Sequence, residues 1–421
     1  MCRWIVYFSE EPILLADVIT RPQHSLVKQI DEHYLPGIEL PAPAPANDNG
    51  SPNAFTNVDG FGIGWFSEVP SLYRTLSTPE HPVKHPRLLP TAYRCVRPPL
   101  HEENLQSMAL AVESPVVFGH LRAAFSAVTV PNCHPFKFGP FLFQHNGNVG
   151  GFSDILPSLM RIISKPVKDQ VKGTTDSEWA AALFFDYLDP TGHWTTGFSM
   201  DRLLQALHQT IKTLINLTER FAGGYYATDA SGHRTVARWL SFNVAISDGE
   251  QLVALRYAHP PEREAPSLYW SSVAGSSLDR RYERHPDTGG RDVGDEPQSS
   301  HGPHVVVASE PMSQEKDDPW HLLQNGEMVV VKKGELVWAW KERERELARV
   351  HRHGGQLQRD WWRPRNPMLN LDDLVTKDSH VVSAHGRRSS TLVLNHPASP
   401  QAHRATVSSE HSSLSDEEGS G

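Results

Sequence analysis

Apolar positions along this chain fall mostly into short β-type runs, with two stretches of helical spacing between them. Cys2 to Phe8 is rich in β-branched and aromatic residues and predicts a strand that starts at the second residue. In Asp59 to Phe66 glycines alternate with apolar residues, a pattern that lets a second backbone or a ligand approach a strand closely. Two further runs, Val116 to Gly119 and Phe141 to Phe143, end in polar groups, His120-Leu121-Arg122-Ala123 and Gln144-His145-Asn146-Gly147. Buried strands that deliver polar residues at their ends are where a packed sheet presents chemistry.

Thr175 and Glu178 stand three apart ahead of an apolar run, a capping-box signature that puts Asp176 in the first turn of a helix. Leu203, Leu204, Leu207, Ile211, Leu214 and Ile215 then predict a second helix over Asp201 to Leu217. Leu240 to Ile246 and Leu252 to Tyr257, joined through Asp248-Gly249, predict a hairpin. Strands are expected again at Val305 to Ser309 and Met328 to Lys332, and the β pattern stops soon after Trp340.

Two regions lack any such periodicity. A Pro, Ala, Asn and Gly run between about residues 36 and 57 predicts an exposed loop. From about residue 341 the chain is charged and then Ser-rich, and it is expected to be disordered because it cannot bury enough apolar surface to offset its ordering entropy. The expected organisation is therefore one large domain over residues 2–340 and a tail over 341–421. With 38% hydrophobic residues and 33 prolines in 421 positions, the composition agrees that part of the chain is not core.

Charge and cysteine content exclude several function classes. A net charge of -9 without a basic block argues against a nucleic-acid footprint. Cys2, Cys95 and Cys133 show no CxxC spacing, so neither a zinc site nor a redox motif is indicated, and no metal or cofactor is expected. No signal-peptide run and no stretch of 18 apolar residues occurs, which points to a cytoplasmic, non-membrane protein.

Cys2 is the sharpest chemical feature. Removal of Met1 would place a thiol and a free α-amine in one residue, and an amine with an ordinary pKa of about 7.7 to 8.0 can take the thiol proton near neutrality. The plainer reading is a buried or lipidated cysteine. Arg122 is either a bidentate partner for a substrate carboxylate or a surface arginine. Asn146-Gly147 is either a hairpin turn or a pair of N–H donors for a developing oxyanion. Asp176 either supports a helix N-terminus or faces a substrate ammonium. Together these groups describe a site for an amide that carries an α-amino acid head, such as glutamine or another γ-glutamyl amide.

At this point the chain resembles the class II glutamine amidotransferases of the N-terminal-nucleophile (Ntn) hydrolase fold. The resemblance is carried by Met1-Cys2-Arg3, Pro22 to Leu26, Asp59 to Trp65, Gly119 to Ala123, Asn132 to Phe136, His145-Asn146-Gly147, Thr175 to Glu178 and Ala308 to Pro311. Asn132-Cys133-His134-Pro135-Phe136, Ser241 to Gly249 and Leu268-Tyr269-Trp270 are most similar to the fungal Dug-pathway branch, which degrades glutathione. The resemblance implies an α+β fold, a four-layer αββα sandwich with Cys2 as nucleophile. Carried over residue by residue, it implies Arg122 on the α-carboxylate, Asp176 on the α-ammonium and Asn146 with Gly147 at the oxyanion. His120 and His134 also fall in the matching blocks, and with 23 histidines in the chain they are expected to be structural support.

The resemblance further implies cleavage of the γ-glutamyl bond of glutathione beside a metallopeptidase-like partner subunit. Alternatives are a glutamine-hydrolysing subunit that feeds ammonia to a partner synthase, a non-catalytic binding subunit of the same fold, and a protein anchored through an acylated Cys2. Ala123 stands where many synthase-linked members carry Trp, and Trp179 stands where the nearest branch has a smaller residue or His.

Overall fold

Strand β1 (Arg3–Leu14) sends Trp4, Val6 and Phe8 to one face and Ile5 and Tyr7 to the other, and all five are buried. A strand alternates faces with period two, so its sheet must be covered on both sides. In this computed structural model the described residues are 2–30, 34–36, 59–68, 88–123, 127–195, 197–281, 302–313 and 319–333. All of them fall in the first of two compact units, residues 1–358. The expected Pro/Ala loop, apart from its first residue, and the expected tail lie outside the described residues.

The first sheet runs in the order β14 (His321–Leu322), β12 (Tyr269–Ser271), β13 (His304–Ala308), β1, β4 (Glu113–Leu121), β2 (Phe61–Glu68) and β3 (Leu88–Cys95). The second runs β15 (Met328–Lys332), β10 (Gln251–Leu255), β9 (Leu240–Ser247), β6 (Phe141–Val149) and β5 (Phe136–Phe138), with β11 (Ala258–His259) beside β9. Every pairing is antiparallel, and a separate ribbon joins β7 (Tyr226–Thr228) to β8 (Arg234–Val236).

Three apolar layers follow from the alternation. Trp4, Val6, Phe8, Phe118 and Val307 of the first sheet meet Leu142, Ala245, Leu252 and Ala254 of the second in an inter-sheet core. The opposite face of the first sheet, Ile5 and Tyr7 included, packs under α1 (Leu15–Ile19), α2 (Glu103–Ala111) and α7 (Gly275–Leu278). The opposite face of the second, with Phe141, Phe143, Val244 and Ile246, packs under α3 (Phe152–Ile162), α4 (Lys165–Lys168), α5 (Asp176–Leu188) and α6 (Met200–Phe221). The result is the expected four-layer αββα sandwich of the Ntn hydrolases. Among the described residues no helix is long and apolar enough to cross a membrane.

Local expectations hold, with one instructive difference. The hairpin from β9 to β10 turns through Gly249 at φ +87°. The glycine alternation in β2 does serve close approach: a Cβ at Gly62 would collide with the His134 carbonyl oxygen, and one at Gly64 would fall 2.8 Å from Leu142. At the start of α5, Thr175 Oγ1 accepts from the Glu178 N–H at 3.2 Å, which is half of a capping box. The reciprocal half is absent. The Glu178 carboxylate instead accepts from the backbone N–H groups of Lys172 and Gly173, which closes the loop in front of the helix.

Candidate active site

Period two also decides where the predicted site residues point. Cys2 shares the parity of Trp4, Arg122 that of Phe118, and Asn146 that of Leu142, so all three face the inter-sheet layer. β1 and β4 pair with Arg3 opposite Leu121, which brings Cys2 to the end of β4 where Arg122 follows. Ala123 N–H donates to Cys2 Sγ at 3.3 Å. From the second sheet, Asn146 Nδ2 donates to the Cys2 carbonyl oxygen at 2.9 Å. Cys2 is thus held by its sulfur at a strand end of one sheet and by its carbonyl at a strand interior of the other.

Asn146 and Gly147 lie inside β6, opposite Asn243 and Phe242 of β9, which removes the hairpin-turn reading of the pair. A Cβ at Gly147 would collide with the Ser241 carbonyl oxygen and sit 2.6 Å from His145 Nε2, so the position accepts only glycine. Asp176 is the first residue of α5. Its Oδ1 accepts from Ser177 N–H at 2.8 Å, and its Oδ2 from Val149 N–H at 2.9 Å, which ties the helix start to the strand that carries Asn146 and Gly147. Arg122 is buried, and its Nη2 donates to the Ala127 carbonyl at 3.1 Å. Asn132 links that point to the helix start, with Nδ2 on Ala127 O at 2.9 Å and Oδ1 accepting from Thr174 N–H at 2.8 Å.

The first shell rests on groups that spacing alone did not single out. Arg3 donates to the Cys2 carbonyl at 3.2 Å and forms an ion pair with the fully buried Glu310, 307 positions away in sequence. Glu310 also accepts from Tyr34 N–H at 2.7 Å, and Ser309 bonds both backbone groups of Trp4. The Ala308 to Pro311 block marks this strand end, although nothing in it names Arg3 as partner. His145, present in a motif but given no role, bridges Ser177 Oγ at 2.8 Å and Ser241 O at 3.0 Å.

Burial dominates the electrostatics. It pushes the Cys2 thiol up, opposed by the Ala123 N–H, the amino terminus, Arg122 and Arg3. A thiol in that state needs a local base before it can attack. His120 and His134 stack with ring centroids 4.1 Å apart, and burial lowers the pKa of both, His120 to about 3. Burial also lowers His145, partly offset by Asp176. Arg122, Arg3 and the amino terminus are the positive groups that favour the Cys2 thiolate. Among the described residues no three His, Cys, Asp or Glu side chains converge as a metal site.

Cys2 at the head of a central strand of an αββα sandwich is the Ntn-hydrolase arrangement, and the motif resemblance to the class II glutamine amidotransferases holds on comparison with known proteins. Over 349 residues the chain is 28% identical to the probable glutamine amidotransferase DUG3 of Saccharomyces cerevisiae, covering 80% of this chain and 83% of the yeast protein. Among solved structures it is similar to a glutamine aminotransferase class-II domain protein from Silicibacter pomeroyi, at 23% identity and TM-score 0.45, over 79% of this chain and 96% of that one. It is also similar to a predicted glutamine amidotransferase from Pseudomonas aeruginosa, at 16% identity and TM-score 0.36, over 80% and 100%. No family model matches the chain.

Proposed function

We propose that this chain is a cysteine-dependent γ-glutamyl amidohydrolase that works through a thioester on Cys2. The observation that carries the reading is the two-sided hold on Cys2, with the Ala123 N–H on its sulfur and Asn146 Nδ2 on its carbonyl. That hold puts the nucleophile between the strand end bearing Arg122 and the strand bearing Asn146 and Gly147. Arg122 takes the substrate α-carboxylate and Asp176 the α-ammonium.

Removal of Met1 frees the Cys2 α-amine as base for the thiol that burial has raised. The thiolate attacks the γ-carbonyl, and the second hydrogen of Asn146 Nδ2 and the Gly147 N–H hold the oxyanion. The protonated α-amine passes its proton to the leaving nitrogen as the C–N bond breaks. Water, deprotonated by the same amine, then cleaves the thioester and releases glutamate.

The natural substrate we assign is glutathione, cleaved at its γ-glutamyl bond in a cytoplasmic complex with a metallopeptidase-like subunit. Support for this substrate comes from the motifs similar to the glutathione-degrading branch, while the 28% identity to DUG3 supports the amidotransferase class. A second reading, glutamine hydrolysis with ammonia passed to a partner synthase, follows from the same proposed roles, which address only the head group and the γ-carbonyl that glutamine and glutathione share, and from the 28% identity to a probable glutamine amidotransferase.

The test is turnover of glutathione and of glutamine, with intact mass of the protein. The expected result is loss of Met1, faster turnover of glutathione, and loss of both activities in Cys2→Ala. Full activity with Met1 retained would sink the terminal-amine mechanism. Full activity in Cys2→Ala would remove Cys2 as nucleophile, and turnover of neither substrate by the intact protein would favour a binding subunit.

A further inference from the structure

Asp176 sits at a helix start that Val149 N–H ties directly to the second sheet, and a chain of three further contacts joins the same start to β9. Ser241 O can only accept, so His145 Nε2, 3.0 Å away, carries the ring proton. With the ring neutral, Nδ1 is an acceptor and Ser177 Oγ–H, 2.8 Å away, donates to it, while the same hydroxyl lies 3.4 Å from Asp176 Oδ1. Ser177 in turn gives its backbone N–H to Asp176 Oδ1 at 2.8 Å. His145 and Ser177 are both buried, and Nε2 of the same ring lies under Gly147.

The direction of the side chain matters. His145 has the parity of Phe143, so it points away from the inter-sheet layer toward α5 and does not face Cys2. It therefore acts through its neighbours. We propose that His145 and Ser177 are positioning residues that set the Asp176 carboxylate for a substrate ammonium, and that they do so through the hydrogen-bonded chain from Ser241 to Asp176. This inference deepens the head-group reading above and rests on it.

The test measures protection of Cys2 from iodoacetamide by L-glutamate and by glutarate, which lacks the ammonium, in the full chain. The unsubstituted protein is expected to be half-protected at a lower concentration of L-glutamate than of glutarate. Ser177→Ala and His145→Gln should raise the L-glutamate value about tenfold and leave glutarate and the unprotected alkylation rate unchanged. Ser177→Ala, the milder change, keeps the test open should His145→Gln fail to fold.

Parallel shifts for both ligands would show a general structural role and overturn the proposal, as would no shift in Ser177→Ala. If L-glutamate gives the unsubstituted protein no advantage over glutarate, the head-group reading itself falls and takes this inference with it.

Discussion

Helices α5 and α6 begin with the same local chemistry. Thr175 caps one by accepting from Glu178 N–H at 3.2 Å, Ser199 caps the other by accepting from Arg202 N–H at 3.3 Å, and each first turn carries an aspartate. Their surroundings differ. Thr175, Ser177 and Glu178 are buried, and Asp176 takes Val149 N–H from the site strand, whereas Ser199 and Asp201 are exposed. An acidic first turn is thus ordinary helix chemistry at α6 and part of a candidate binding site at α5. The packing of α5 against β6 makes the difference.

The comparison is broken most directly at the aspartates. Asp176→Asn keeps the shape but removes the charge proposed to face the ammonium, and KM for the γ-glutamyl substrate is expected to rise on the order of a hundredfold. Asp201→Asn should change KM by less than about twofold, since an exposed first-turn charge is worth only about 0.3–1 kcal/mol of stability. Steady-state kinetics on the two variants decide it, and equal effects would erase the distinction.

Acid should separate the two regions next. The start of α5 rests on a buried imidazole layer, with His145 on Ser177 and His120 Nε2 3.2 Å from the His145 carbonyl oxygen. In the unfolded chain His120 protonates near 6.5, but in the fold only near 3. Between those values the unfolded state binds more protons. The stability linked to His120 is therefore complete above pH 6.5 and is lost as pH falls toward 3, at about 1.4 kcal/mol per pH unit. Between pH 7 and pH 5 His120 should account for about 2 kcal/mol of the stability lost in urea unfolding, and His120→Asn should reduce the slope by that amount. An unchanged slope would place the acid sensitivity elsewhere.

The smallest effect sharpens the comparison most. Thr175→Ala and Ser199→Ala should each cost about 1 kcal/mol of stability, because each removes the same cap. Only Thr175→Ala should also raise KM, by a few-fold. A matched rise in Ser199→Ala would mean that KM follows stability and not the α5 start.

Much of this was legible in the chain. The runs at Cys2 to Phe8, Asp59 to Phe66, Val116 to Gly119 and Phe141 to Phe143 all became sheet strands, because period-two burial is a local signal. The motifs pointed to Cys2, Arg122, Asn146, Gly147 and Asp176; the fold bonds Asn146 to Cys2, sets Arg122 at the strand end beside Cys2, and ties Asp176 to β6 through Val149 N–H. What stayed hidden was pairing at long range. Nothing near Arg3 points to Glu310, and nothing near Ser177 points to His145. Glu178 looked like the second half of a capping box and proved to close the loop at Lys172 and Gly173.

By itself the sequence determined the strands, the caps, the glycines that must be small and the set of residues able to carry γ-glutamyl chemistry. These depend on side-chain type and on spacing of two, three or four residues. Tertiary structure alone decided whether Asn146-Gly147 was a turn or a strand interior, which of two similar helix starts is tied to the strand bearing that pair, and which buried charge answers Arg3. Those outcomes depend on how two sheets stack and which strand ends meet, and local sequence does not record distances between residues that are far apart along the chain.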